Sequence, residues 1–307
     1  MCPHIKLPMI LNPNPQLIRS RTNLSVLANM GLHRCTPRPD NATTESFKTN
    51  LNDLLTTLQQ QAPLSNGFCN ATAGESSDKL YGLAQCKGDL WSEDCASCLR
   101  DSVSVAFNTC TNSNRTALWF RWCFLRYSDE DFFGRWEGVL GGISYGNASA
   151  DNLTVAAKGK SLMAELAAGV PSEPLMFKAG FVDVGDAGKR YGLAQCNRDL
   201  NASSCGQCLT AQVEFLDQVL GNNSMVDVIS NGCNMWYNSY QFYRNSSSIP
   251  AQGPPPSTPP VMAGPPPPAN ASPQTPPPSA APRQLQSSFT VVAVMTLLLL
   301  LLSSSAL

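Results

Sequence analysis

Histidine is almost absent: the 307 residues hold two, His4 and His33. Neither falls in the repeated parts of the chain described below. Imidazole-based acid–base chemistry and histidine metal sites therefore have no foothold there. Charge is sparse too, at 14% of residues, and 21 basic side chains against 22 acidic ones leave a net charge of −1. No basic stripe runs long enough to follow a phosphate backbone, which argues against nucleic acid as a partner. A long apolar run is also missing. A spanning helix needs about 17–25 apolar residues, and the apolar stretch from Phe289 to Leu302 has 14. Nor does Met1 to Leu11 supply the unbroken apolar segment of a signal peptide, because Pro3, Lys6 and Pro8 interrupt it.

Cysteine is abundant, with 12 residues. So are Asn-x-Ser/Thr sequons. Candidate glycosylation sites are Asn41, Asn70, Asn114, Asn147, Asn152, Asn201, Asn222 and Asn245, with further sequons at Asn23 and Asn270. Together they favour an oxidising, secretory environment. Two readings of the start remain open: a cytosolic protein with reduced cysteines, or a signal peptide lying upstream of Met1.

The decisive feature is a repeat. Tyr81-Gly82-Leu83-Ala84-Gln85-Cys86 returns as Tyr191-Gly192-Leu193-Ala194-Gln195-Cys196, an offset of 110 residues. Both copies continue to Asp-Leu (Asp89-Leu90, Asp199-Leu200) and then to Cys-x2-Cys-Leu (Cys95, Cys98, Leu99; Cys205, Cys208, Leu209). Cys123 and Cys233 match at the same offset. Two homologous domains follow, at 35–135 and 145–245, after an N-terminus of uncertain role at 1–34.

Periodicity predicts an amphipathic helix over Thr44 to Gln61, from Phe47, Leu51, Leu54, Leu55 and Leu58. A second helix is expected after each C-x8-C, capped in the first copy by Ser92 with Glu93 and Asp94 in its first turn. Cys95 and Cys98 share one face of it and can staple it to two other segments. Leu209, Val213, Leu216 and Leu220 make the corresponding stripe in the second copy. Leu118 to Tyr127 and Met235 to Tyr243 read as strands. Each domain is thus expected to be α+β: two helices packed on an antiparallel sheet.

The tail differs. From Pro250 to Pro282, 15 of 33 residues are proline. Such a segment (250–283) is a stiff stalk of about 3 Å per residue, on the order of 100 Å if extended. The greasy terminus at 289–307, with small residues and a polar spacer before it, has the pattern of a glycolipid-anchor signal. Ser279 is the expected attachment residue and the Asn270-Ala271-Ser272 segment the alternative; a short tail-anchor helix is the plainer reading.

The C-x8-C-x2-C spacing, its Tyr-Gly-Leu-Ala-x-Cys lead-in and the segment Gly67-Phe68-Cys69-Asn70-Ala71-Thr72-Ala73-Gly74 resemble the ginkbilobin-homologous, cysteine-rich repeat domains of land plants, over roughly residues 35–245. That family includes two-domain secreted proteins, receptor-like kinase ectodomains and plasmodesmata-located proteins; no kinase domain is present here. The resemblance implies the disulfides Cys86–Cys95, Cys98–Cys123 and Cys35–Cys110 in the first domain, and Cys196–Cys205 and Cys208–Cys233 in the second. Tyr145 and Leu220 stand where the third bridge of the second domain would be. Cys2 and Cys69 are left over, with Cys69 expected to be a buried thiol.

The resemblance also implies a mannose site. Its positions fall on Thr36, Ala117 and Ser128 in the first domain and on Gly146, Asp227 and Asn238 in the second, without the family's sugar-binding residue types; Arg115 or Arg121 would give a shifted site. A redox role for Cys205-Gly206-Gln207-Cys208, or a four-thiolate zinc site, competes poorly with cysteines committed to separate bridges. No catalytic, cofactor or metal residue is expected. Asp129, Glu130 and Asp131 read as a solvated loop. Trp119, Trp122, Phe132, Phe133 and Trp136 read as core or inter-domain packing, or else as a recognition surface. The function expected is non-enzymatic cell-surface recognition or scaffolding. Its partner would be a cell-wall glycan or a membrane-protein ectodomain, and its tie to the membrane a C-terminal lipid anchor. A secreted mannose-binding antifungal lectin is the alternative.

Overall fold

The computed structural model describes residues 30–38, 44–138, 140–145 and 151–244. The proline-rich segment, the apolar terminus, Ser279 and the sequons at Asn23, Asn41, Asn147, Asn245 and Asn270 lie outside them. No helix among the described residues is long and apolar enough to cross a membrane.

The first domain runs β1 (Met30–Pro37), α1 (Glu45–Leu64), β2 (Phe68–Ala73), β3 (Leu80–Cys86), α2 (Ser92–Thr109), β4 (Ser113–Phe120) and β5 (Cys123–Ser128). The second repeats the plan with β6 (Leu140–Tyr145), α3 (Leu153–Gly169), β7 (Phe177–Asp183), β8 (Lys189–Cys196), α4 (Ala202–Val219), β9 (Met225–Ser230) and β10 (Cys233–Asn238). The five-stranded sheets have the orders β1-β4-β5-β3-β2 and β6-β9-β10-β8-β7, with every pairing antiparallel. Two helices cover one face of each sheet, so the fold is α+β.

Several sequence expectations need correction. Strand β1 begins at Met30, ahead of Cys35, because Leu32 to Thr36 pair with the aromatic strand β4. Leu118 to Tyr127 is not one strand: the chain turns at Arg121-Trp122 and pairs back on itself, Trp119 opposite Phe124. In the second domain Tyr240 to Tyr243 lie beyond the end of β10. Ser92 does not cap α2; the cap position is Trp91, without a side-chain bond. The real caps are Thr44, Asn152 and Asn201, whose side-chain oxygens accept from Phe47, Val155 and Ser204 N–H. In α4 Gln212 is buried, with Val213 only partly so, and Gln212 Nε2 donates to Cys233 O at 2.7 Å.

The cores follow from strand alternation. Gly82, Ala84 and Cys86 turn toward the helices. A Cβ on Gly82 would lie 2.8 Å from Leu58 Cδ1, and one on Gly192 would lie 2.5 Å from Met163 Sδ. The glycine of the repeated motif therefore lets helix and sheet approach closely. Leu54, Leu55 and Leu58 fill the first core, and Met163, Leu166 and Leu216 the second. Each such buried side chain contributes about 2 kcal/mol.

The structure joins Cys35 to Cys110, Cys86 to Cys95, Cys98 to Cys123, Cys196 to Cys205 and Cys208 to Cys233. Bonds from Cys95 and Cys98 thus tie α2 to β3 and β5. The 75-residue separation of Cys35 and Cys110 is worth about 4–5 kcal/mol in the chain-entropy description. Cys69 corrects the reading of a thiol: it is fully buried, but disulfide-bonded.

Candidate functional site

The sheet faces turned away from the helices meet between the two domains, and the repeated motif builds the contact. Leu83, Ala117, Trp119 and Phe124 of the first domain form a buried cluster with Phe132, against which Ile229 of the second domain packs. Gln85 and Gln195 then cross over. Gln85 Nε2 donates to Cys196 O at 2.8 Å, and Gln195 Nε2 donates to Cys86 O at 3.0 Å. In return Gln85 Oε1 accepts from Arg198 N–H at 2.9 Å, and Gln195 Oε1 accepts from Gly88 N–H at 3.1 Å. Each bond has its partner at the repeat offset, so the contact is pseudo-twofold.

The repeated aspartates extend the same symmetry. Asp199 accepts from Gly134 N–H, and Asp89 accepts from Arg244 N–H, each at 2.9 Å. The Arg244 guanidinium also bonds Asp94 and lies over the Trp91 ring. Trp119 Nε1 donates to Ser230 O at 3.0 Å. Buried bonds of this kind give about 1 kcal/mol each when made and cost more when half-broken.

Where the repeat departs from symmetry, a cleft opens between the domains, about 480 Å³ in volume. Lys87 lines it. Its counterpart is Asn197, and both make the same backbone bond: Lys87 N–H to Trp122 O at 2.9 Å, Asn197 N–H to Gly232 O at 2.8 Å. Only the side chains differ. The Lys87 side chain is buried, 6% exposed, with its ammonium 4.6 Å from the Trp236 ring centre, 4.9 Å from that of Phe242 and 5.3 Å from that of Trp122. Burial pulls its pKa down to about 8, against the opposing pull of Asp89 and Asp227. Asp227, on β9, lines the same cleft, and burial pushes its carboxyl up to about 6 although Lys87 and Arg121 favour its charge. Arg121 completes the charged set, its guanidinium 4.9 Å from the Trp122 ring centre.

The positions implied for mannose binding are split by the fold. Asp227 and Asn238 both line the cleft. Thr36 and Ser128 both stand opposite Arg115 in the pairing of β1, β4 and β5, while Ala117 lies in the inter-domain cluster; Gly146 is outside the described residues. Arg115 is taken up by Asp129 and Glu130, and Asp129 also accepts from Asn114 Nδ2 at 2.7 Å; the segment is nonetheless a loop with Glu130 and Asp131 exposed, as expected. Phe133 packs edge-on to Tyr81, and Trp136 packs against the second core. Among the sequons, Asn152, Asn201 and Asn222 are exposed, whereas Asn70 and Asn114 are half-buried on strands. Asn152 and Asn201 cap helices through Oδ1, which leaves Nδ2 clear for a glycan. Among the described residues no His, Cys, Asp and Glu cluster could hold a metal ion. Lys87 escaped the sequence reading, although a signal existed: it is a non-repeated cation between the repeated Cys86 and Asp89.

Comparison with known proteins places these features. Residues 34–130 and 144–240 each match the salt stress response/antifungal family. The antimicrobial ginkbilobin-2-like protein of Castanea crenata is 30% identical over 211 residues, covering 68% of this chain and 87% of that protein. Cysteine-rich repeat secretory protein 38 of Arabidopsis thaliana is 30% identical over 238 residues, covering 75% and 93%. Among solved structures, the tandem DUF26 ectodomain of the Arabidopsis thaliana cysteine-rich receptor-like protein PDLP8 superposes with a TM-score of 0.60 at 27% identity, covering 68% of this chain and 97% of that one. The chain therefore belongs to the salt stress response/antifungal family, as a tandem of two such domains.

Proposed function

We propose that this chain is a non-enzymatic recognition and scaffolding module of the extracellular surface, acting in signalling or defence. The observation that carries the reading is the reciprocal Gln85–Gln195 clamp, which closes two domains around one cleft. Pre-organisation of this kind serves binding, because little order is lost when a partner arrives. The kinship with secreted proteins and receptor-like ectodomains supports the extracellular placement. In this reading the proline-rich stalk lifts the module from a membrane to which a glycolipid at Ser279 anchors it. Plasmodesmata are the site suggested by the resemblance to plasmodesmata-located proteins. Its partner is a cell-wall glycan or a membrane-protein ectodomain.

The test is enzymatic release. Chain carrying one tag before Pro250 and another after Leu307 is expressed in plant cells. Phosphatidylinositol-specific phospholipase C should release the first tag to the medium, and the second should be lost during maturation. A terminal tag retained in the membrane fraction overturns the lipid anchor. A second reading, a secreted mannose-binding lectin, draws on one observation: Asp227 and Asn238 share the cleft. It requires a soluble form retained on immobilised mannan.

A further inference from the structure

Lys87 holds a buried charge with no carboxylate at ion-pair distance among the described residues. Taking an ammonium out of water is unfavourable unless the site compensates the charge. The three rings around it return only part of that cost. The fold itself does not require the charge, since Asn197 serves the equivalent turn in the second domain with the same backbone bond and a neutral side chain. The ammonium is an addition to the scaffold, and it lies on the wall of a cleft.

The chemistry of that cleft has two parts. Lys87 and Arg121 share the cleft wall with one acidic side chain, Asp227, so its charged lining carries one net positive charge, while Asp89, outside that lining, also pulls on Lys87. Leu32, Trp119, Ile143 and Ile229 supply an apolar wall. The volume of about 480 Å³ falls among pockets that enclose small molecules, about 300–1,000 Å³. A ligand that complements both parts has one negative charge and an apolar body. A phosphate dianion would leave a negative charge uncompensated beside Asp227, which favours a monocarboxylate.

We propose that the inter-domain cleft binds a small organic acid, with its carboxylate on the Lys87 ammonium and its apolar or aromatic body against Trp119, Ile143 and Ile229. The site deepens the recognition reading and rests on it. Phospholipase release tests that reading without touching the cleft, so the two fail separately.

Calorimetric titration of the full chain with 2-naphthoate, and with 2-naphthamide as its neutral match, tests the proposal. Naphthoate should bind with one-to-one stoichiometry and naphthamide at least tenfold more weakly, the scale of a lost charge-assisted bond. Lys87→Met should weaken naphthoate about tenfold or more while leaving naphthamide unchanged. Arg121→Gln, at an exposed position, should weaken naphthoate several-fold with the melting temperature of the parent. Equal binding of acid and amide, unchanged affinity in both variants, or no naphthoate binding at millimolar concentration would each overturn the proposal.

Discussion

Lys87 and Asp227 line one cleft, and burial disfavours the charge on each. Asp227 titrates near 6 in the folded chain against an ordinary 3.8. The folded state therefore holds this proton more firmly than the unfolded state does. The resulting stabilisation is complete below about pH 4 and is lost as pH rises through 6. Lys87 runs the other way: between about 8 and 10.5 the unfolded chain binds the extra proton, so stability rises with pH there. Asp227→Asn should remove the first dependence. At pH 8 it should be more stable than the parent by roughly 2–3 kcal/mol, and at pH 4 the two should match. Urea midpoints at both pH values check this, and an equal difference at both would contradict it. Single residues also mark what the sequence withheld. The cysteine spacing and its resemblance pointed to pairs that the structure joins, whereas Cys69, with no counterpart in the second domain, carried no signal of its bond. Lys87 was invisible because its environment comes from Trp236 and Phe242, about 150 positions downstream.

Elements are most legible where one period dominates. Phe47 through Leu58 mark a helix face, and α1 buries that face. The hairpin of β4 and β5 was harder, since the Arg121-Trp122 turn carries neither Gly nor Pro and the aromatics run straight through it. The motif glycines were visible as repeats, but their reason is tertiary. Gly82→Val would drive a branched side chain into Leu54 and Leu58. A loss of about 1–3 kcal/mol is expected from such overpacking, with the same effect for Gly192→Val against Met163 and Leu166. Thermal melts of the two variants should fall together, because the two contacts are equivalent; a fall in one alone would contradict that equivalence. Cys35→Ser should leave Cys110 reactive to a thiol reagent in the unfolded chain and lower the melting temperature, whereas a peptide map joining Cys110 elsewhere would refute the bridge.

At the scale of the molecule, the repeat predicted two domains but not how they meet. Gln85 and Gln195 are polar residues in mostly apolar strands. Their bonds only make sense when both copies are present, since each satisfies a carbonyl and an N–H of the other domain. That coupling bears on stability. In the second domain Leu220 is a buried apolar residue at the position of Cys110, so that domain lacks the long staple and its unfolded chain is freer by about 4 kcal/mol. Alone, residues 145–245 should be the less heat-stable half. In the whole chain the clamp and the Trp119 cluster should hold both halves in one transition. Replacing Gln85 and Gln195 together by Ala leaves two carbonyls and two N–H groups without partners, a cost of about 1–3 kcal/mol for each buried group. Calorimetry of this double variant should then resolve two transitions, the lower one belonging to the second domain. Identification is direct: cysteine-free exposure probes, such as limited proteolysis at the lower transition, should cut within 145–245 and spare 35–135. A single transition in the double variant, or cutting that starts in the first domain, would show that the glutamines do not couple the halves.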